Sequence, residues 1–316
     1  MSALGVRAKV ESVASQRDTW IALGAAASVY VAALAALVRM PDSAGWADPL
    51  FLLGSLVVVF PALAWTLTRE QAARRERAPA TSALQLAGLF VFLAVFAAAI
   101  LGYGFCAINA GFPEEHTQAF VKLAVKLVTM VILPWTLFAS ASPRTPAVGT
   151  AIRSNFFALA VLGVAFTVFQ CVAGHGMQNL AELHPTHLTL LWAIPACLIW
   201  QTVEAGLCEE VLFRRVLQER LAGFARSPAV AVVWSSLLFG LAHAPGLYLR
   251  GGSLLEGVAA PTPLWAAAYS IVMIAPAGVL FGVVWARTRS LWLVVALHGI
   301  VDLVPQLAPF IQTWRH

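Results

Sequence analysis

The sequence predicts an all-α fold, a polytopic bundle of eight or nine transmembrane helices. Of the 316 residues, 60% are hydrophobic and only 11% are charged, whereas a soluble domain carries about a quarter charged residues. The apolar residues fall in runs of roughly 17–25, the length that a helix needs to cross a hydrocarbon core of ~30 Å. Basic residues gather between alternate runs, as in cytoplasmic loops. Because the net charge of +5 is spread over these loops, the composition does not favour nucleic-acid binding.

The spans follow from the apolar runs and the charged or turn-forming segments between them. A basic lead-in precedes the first run, which is too long for a cleavable signal peptide. The sixth span begins near Thr189 and runs into a charged motif. We place the other eight at roughly 19–38, 49–68, 82–108, 118–140, 155–173, 229–244, 263–286 and 290–311.

The loop charges predict an orientation. With the N-terminus in the cytoplasm, four basic segments all fall on the cytoplasmic side, at 69–81, 142–153, 214–227 and 287–289. The Ala- and Arg-rich composition favours a bacterial cytoplasmic (inner) membrane. Within the fourth span, Lys122 and Lys126 are four residues apart, and snorkelling to an interface is favoured over lining a wet cavity.

The central motif is Glu209-Glu210-x-x-x-Arg214, next to strongly apolar sequence. Ionised groups at membrane depth are costly and mark functional sites. On a helix Glu210 and Arg214 are i and i+4, in the favoured acid-before-base order. Glu209 points about 100° away, so Arg214 can hold Glu210 while Glu209 remains available for chemistry. Glu204, about a turn and a half earlier, can line the same cavity.

Two further polar pairs interrupt apolar helices at i, i+4 spacing. One is Phe239-x-x-x-His243 and the other is His298-x-x-x-Asp302. Each histidine alone is equally well explained by a structural hydrogen bond between helices. Together with Glu209 they can form a polar chamber in which a carboxylate takes a proton from water and imidazoles orient that water or stabilise an oxyanion.

The three motifs in this order resemble the CPBP (Abi) family of type II CAAX-prenyl-protease-like intramembrane endopeptidases. The resemblance covers roughly residues 190–306 and includes the run Gly278–Leu293 before the last motif. It predicts a catalytic helix bundle at 151–316. Residues 1–150 show no such resemblance and are predicted to be accessory transmembrane helices.

The resemblance implies a glutamate-dependent peptidase without a cofactor. Glu209 would activate water and His243 would hold it, while His298 and the residue at 302 would stabilise the oxyanion. Many members have Asn at that last position, and ionised Asp has no N–H to donate. Asp302 would therefore orient His298 or a water, or be protonated by burial. Glu210, Arg214 and Phe239 would support the site.

The expected substrate is a membrane-tethered protein or peptide cleaved near its C-terminus, in contact with the lipid bilayer. Three alternatives stay open. One is a zinc-dependent protease with Glu209, His243 and His298 as ligands. Another is a non-proteolytic protein of the same fold, acting in immunity, scaffolding or regulation. The third, a transporter, is disfavoured because the two halves show no paired repeats.

Overall fold

A computed structural model describes residues 3–40, 46–68, 80–138, 148–250 and 261–315 of the chain. Within these ranges the regular structure is entirely helical. We number ten helices in chain order: α1 Ala3–Val38, α2 Ala47–Leu67, α3 Ala83–Gly111, α4 Glu115–Phe138, α5 Val148–Ala173, α6 Gly176–Leu183, α7 His187–Ala225, α8 Pro228–Arg250, α9 Pro263–Thr288 and α10 Leu291–Trp314.

Every helix but α6 contains a stretch long and apolar enough to cross a membrane, which makes nine such stretches in the described part of the chain. The predicted fold class is therefore confirmed, and the chain is a multi-pass integral membrane protein. The loop 69–77, Arg144 and most of the turn at 40–48 lie outside the described residues, so their predicted loop roles are not tested.

Two predicted loops differ from the structure. The loop after the fifth span contains α6, and His184, the residue that follows this helix, has a left-handed conformation (φ 46°). The basic cluster at 214–227 is mostly not a loop, because α7, which is 39 residues long, continues to Ala225. Arg214 is fully buried and Arg220 is 8% exposed, so only the end of this segment, at Arg226, fits the prediction.

The backbone packs as two compact units that are interleaved along the chain. The first holds Met1–Val58, Arg77–Tyr103 and Leu217–Gly282, and the second holds Val59–Glu76, Gly104–Val216 and Val283–His316. The predicted functional division at residue 150 stays a prediction.

In the first unit, α8 packs against α1 and against the first part of α9. Trp234 Nε1 donates a hydrogen bond to Ala22 O at 3.1 Å. A Cβ on Gly240 would lie 2.5 Å from Ser270 O, so glycine permits the close approach of α8 to α9.

In the second unit, α10 is the central helix and packs against α5, α6 and α7. A Cβ on Gly206 of α7 would lie 2.6 Å from Val295 O, and one on Gly299 of α10 would lie 2.9 Å from Thr202 Cα. Small residues at both positions let the two backbones approach closely, as in other membrane helix pairs. This contact carries the polar residues of the second unit.

Candidate active site

Glu210 and Arg214 form an ion pair inside the second unit. Arg214 Nε donates to Glu210 Oε2 at 3.0 Å, and both side chains are completely buried. The pair therefore has the i, i+4 geometry that the sequence indicates. Pairing offsets the cost of burying the carboxylate and the guanidinium, because taking either charge out of water alone costs several kcal/mol.

The second oxygen of Glu210 holds His298, a contact that sequence spacing does not reveal. Glu210 Oε1 lies 2.7 Å from His298 Nδ1. Since an ionised carboxylate only accepts hydrogen bonds, Nδ1 donates the proton of this bond. The bond fixes the ring's orientation and leaves Nε2 for the remaining carboxylates.

Two other acidic side chains face His298 Nε2. Glu209 Oε2 is 3.8 Å from this nitrogen and Asp302 Oδ2 is 3.4 Å from it. Asp302 is the more exposed of the two, with 27% of its side chain accessible against 10% for Glu209. This position favours the interpretation in which Asp302 orients His298.

Lys126 of α4 completes the cluster, and its predicted snorkelling is wrong. The side chain is only 10% exposed, and Nζ lies 2.7 Å from Glu204 Oε1 and 3.5 Å from Glu209 Oε1. Nζ also donates to the backbone carbonyl of Glu204 at 3.3 Å. The i, i+4 lysines in an apolar helix were the one sequence signal for this contact. Glu204 does lie beside Glu209, as the sequence suggests.

The local backbone around the motif is irregular. The turns Thr202–Leu207 and Val211–Gln218 have π-helical i→i+5 hydrogen bonding, on either side of the α-helical turn Cys208–Glu210. Similar π-helical stretches occur in α2, α3, α4 and α9, so they do not by themselves mark a functional site. In α7, one of the two turns surrounds the Glu204 carbonyl that Lys126 contacts.

The remaining predicted residues, His243 and Phe239, lie in the first unit. His243 follows the last residue of Pro228–Ala242, and its Nδ1 is 2.8 Å from Phe239 O. The two rings pack edge to face with centroids 5.1 Å apart. Because a carbonyl oxygen only accepts, Nδ1 donates in this hydrogen bond. The structure thus brings together Glu209, Glu210, Arg214, His298 and Asp302 within one unit.

This arrangement combines a polar set suited to proton transfer with apolar surroundings. Four carboxylates, two fixed cations and one imidazole meet within one helix bundle: Glu204, Glu209, Glu210, Asp302, Lys126, Arg214 and His298. Such a set can abstract a proton from water and stabilise a developing charge. Among the residues that the structure describes, no group of three or more His, Cys, Asp or Glu side chains has the geometry to hold a metal ion.

Comparison with known proteins bears on the same stretch. Residues 185–304 match the family model of type II CAAX prenyl endopeptidase Rce1-like proteins. No curated protein and no solved structure matches the chain. The matched segment contains all three motifs and implies CAAX-protease-like intramembrane proteolysis. The resemblance predicted from the sequence is therefore confirmed over these residues, where the chain is similar to the Rce1-like endopeptidases.

Proposed function

We propose that this protein is a glutamic-type intramembrane endopeptidase that hydrolyses a peptide bond of a membrane-associated protein or peptide, near its C-terminus. The observation that carries the proposal is the set of contacts around His298. Glu210 holds one ring nitrogen at 2.7 Å, while the other nitrogen faces Glu209 at 3.8 Å. A carboxylate beside an oriented imidazole is suited to general-base activation of water.

In the proposed reaction, Glu209 takes a proton from water as the water oxygen bonds to the scissile carbonyl carbon. The carbonyl electrons move to oxygen and form a tetrahedral oxyanion. The C–N bond then breaks, and the leaving amine receives the proton from Glu209. General acid–base catalysis of this kind contributes about 10²–10⁴-fold to a rate.

His298, in its imidazolium form, would donate from Nε2 to the oxyanion. Glu210 supports this role because its bond to Nδ1 stabilises the protonated ring and fixes its plane, and Arg214 holds Glu210. Asp302 lies 3.4 Å from the same Nε2 and would orient the ring before substrate binds. The resemblance assigns His243 to the attacking water.

The substrate class follows from the setting. The cluster lies on helices long and apolar enough to span a membrane, which supports a substrate tethered to the membrane. A prenylated C-terminus is the substrate class named by the matched family. In a bacterium, C-terminal sorting tails or secreted peptides fit the same site without a prenyl group.

The test is Glu209→Gln, which keeps the side chain's size and removes its basicity. We expect cleavage to fall by about 10²–10⁴-fold, because the general base is lost. Membranes of cells expressing the wild type or the variant are compared by mass spectrometry of C-terminal peptides, and the purified proteins are compared on a farnesylated CAAX peptide. Glu182→Gln, on the exposed side of α6, is the matched control. Unchanged cleavage by a folded Glu209→Gln protein would instead support a non-proteolytic role.

A chelator separates the metal-free mechanism from its zinc alternative. In the proposed site, Glu209 lies beside the Lys126 ammonium and Glu210 is bonded to His298, so protein groups rather than a metal compensate these carboxylates. We therefore expect 1,10-phenanthroline to leave peptide cleavage unchanged. Loss of cleavage, with recovery on adding zinc, would replace the metal-free mechanism by the zinc-dependent one.

A further inference from the structure

Lys126 has an unusual position for a lysine in a membrane-spanning helix. It lies within α4, and the whole residue is 8% exposed. Its ammonium lies 2.7 Å from Glu204 and 3.5 Å from Glu209, both on α7. A third contact, 3.3 Å to the carbonyl of Glu204, comes from the π-helical turn before the motif. A lysine that only avoided lipid would extend its ammonium towards an interface, whereas this one is directed into the cluster.

Glu204 is the nearer partner, so the geometry allows two roles for Lys126. Lys126 is the counter-ion of Glu204 alone, or it is the counter-ion of Glu209 as well. Burial favours the second role, in which Lys126 also acts on Glu209, because the Glu204 side chain is 22% exposed and that of Glu209 is 10% exposed. The less exposed carboxylate depends more on a nearby cation, since it exchanges more of its hydration for protein contacts.

Arg214 and His298 also lie near Glu209, but each makes a shorter contact with Glu210. His298 approaches Glu209 from α10, with Asp302 on the same helix beside His298, and Glu204, Cys208, Glu210 and Arg214 lie on α7 itself. Arg214 and Lys126 are the fixed cations among the groups named here. Arg214 is bonded through Nε to Glu210. The ammonium of Lys126 is at ion-pair distance from Glu209.

We propose that Lys126 is a positioning residue for Glu209, keeping its carboxylate ionised and directed towards the reacting water; this inference rests on the proposed function. Lys126 lies outside the segment 185–304 that matches the Rce1-like family. The site therefore extends into the region predicted to be accessory, and α4 contributes to catalysis.

A first test needs no substrate. Dicyclohexylcarbodiimide adds to protonated carboxyl groups in membranes, and mass spectrometry locates the adduct. In proteoliposomes at neutral pH, we expect Lys126→Met to raise labelling of Glu209 at least about tenfold, because the ionised form loses its counter-ion. Lys126→Arg restores low labelling. Lys122→Met, one turn away on the same helix, is the matched control and leaves labelling unchanged.

A second test measures cleavage of the farnesylated CAAX peptide. We expect Lys126→Met to lower kcat by about 10–100-fold, by analogy with the loss of residues that orient ligands at metal sites, while KM stays within about twofold. Lys126→Arg recovers most of kcat because it restores the charge. Glu204→Gln causes a smaller loss than Lys126→Met, since it leaves the ammonium beside Glu209.

The outcomes separate this inference from the proposed function. If Lys126→Met increases labelling at Glu204 but not at Glu209, Lys126 serves Glu204 alone and the inference is overturned. A wild-type kcat in a folded Lys126→Met protein also overturns it. If Glu209→Gln keeps full cleavage, the proposed function fails, but the labelling result still decides whether Lys126 is the counter-ion of Glu209.

Discussion

Glu210 is the residue on which the charged network depends. Its two oxygens bind Arg214 and His298 at 3.0 and 2.7 Å, and its side chain is completely buried. Full burial removes the hydration of the carboxylate, so these two protein contacts must replace it. In the proposed site, this enclosed carboxylate would hold Arg214 and His298 in place and would not contact the substrate.

Arg214→Met should therefore destabilise the protein strongly. The change leaves the Glu210 carboxylate buried without its guanidinium partner, and breaking a buried pair in this way costs about 3–5 kcal/mol. Thermal unfolding in detergent measures the loss. The double variant Glu210→Gln with Arg214→Met should recover part of the stability, because neither charge remains, but it should not recover cleavage. A double variant less stable than Arg214→Met would contradict this pairing.

Spacing along the chain predicts contacts within one helix and not between helices. Glu210 and Arg214 were predicted as a pair because they lie four residues apart on one helix face. The bonds from Glu210 to His298 and from Lys126 to Glu209 join residues 88 and 83 positions apart. Periodicity contains no information about distances of this kind, so the sequence indicated which side chains were polar but not their partners.

At the scale of helices, the contact of α7 with α10 positions the site. Gly206 and Gly299 lie against the opposite backbone, where a Cβ would come within 3 Å of backbone atoms. The approach brings Glu209 and Glu210 of α7 to His298 of α10. The helices that the sequence predicts agree with the structure to within a few residues for most spans. The exceptions are α1, which already begins at Ala3, and α7, which continues through Arg214 and Arg220 and buries charges that composition alone assigns to a loop. Pairing with Glu210 offsets the cost of burying Arg214.

Gly206→Ala should separate these two helices. The added Cβ would lie 2.6 Å from Val295 O, and backbone of a packed helix cannot move aside cheaply, so we expect a loss of about 1–3 kcal/mol. Cleavage should fall as well, because α10 carries His298. Gly88→Ala is the control, since a Cβ there meets nothing within 4 Å and the change favours helix by up to about 1 kcal/mol. Equal stability of the two variants, measured by thermal unfolding, would show that the contact is unimportant.

At the scale of the whole molecule, the length of α7 bears on how a substrate reaches the site. Its 39 residues correspond to almost 60 Å at ~1.5 Å per residue, twice the hydrocarbon thickness. One end must therefore extend beyond the bilayer or the helix must tilt strongly. The contact of Glu209 with His298, 3.8 Å apart, places both at the same depth. His298 follows the start of α10 by seven residues, or about 10 Å, so the site lies near the end of α10 that adjoins Arg289.

The loop charges predict that this end faces the cytoplasm, and single cysteines can test it. In a background with the four native cysteines replaced by serine, Arg153→Cys and Arg226→Cys should react with an impermeant maleimide only in inside-out vesicles. Glu182→Cys, exposed on α6, should react only in right-side-out spheroplasts, because α7 crosses the membrane once between residues 182 and 226. Reaction of Glu182→Cys and Arg226→Cys from the same side would mean that α7 does not cross the membrane. Glu209 would then lie in a helix that returns to the same surface.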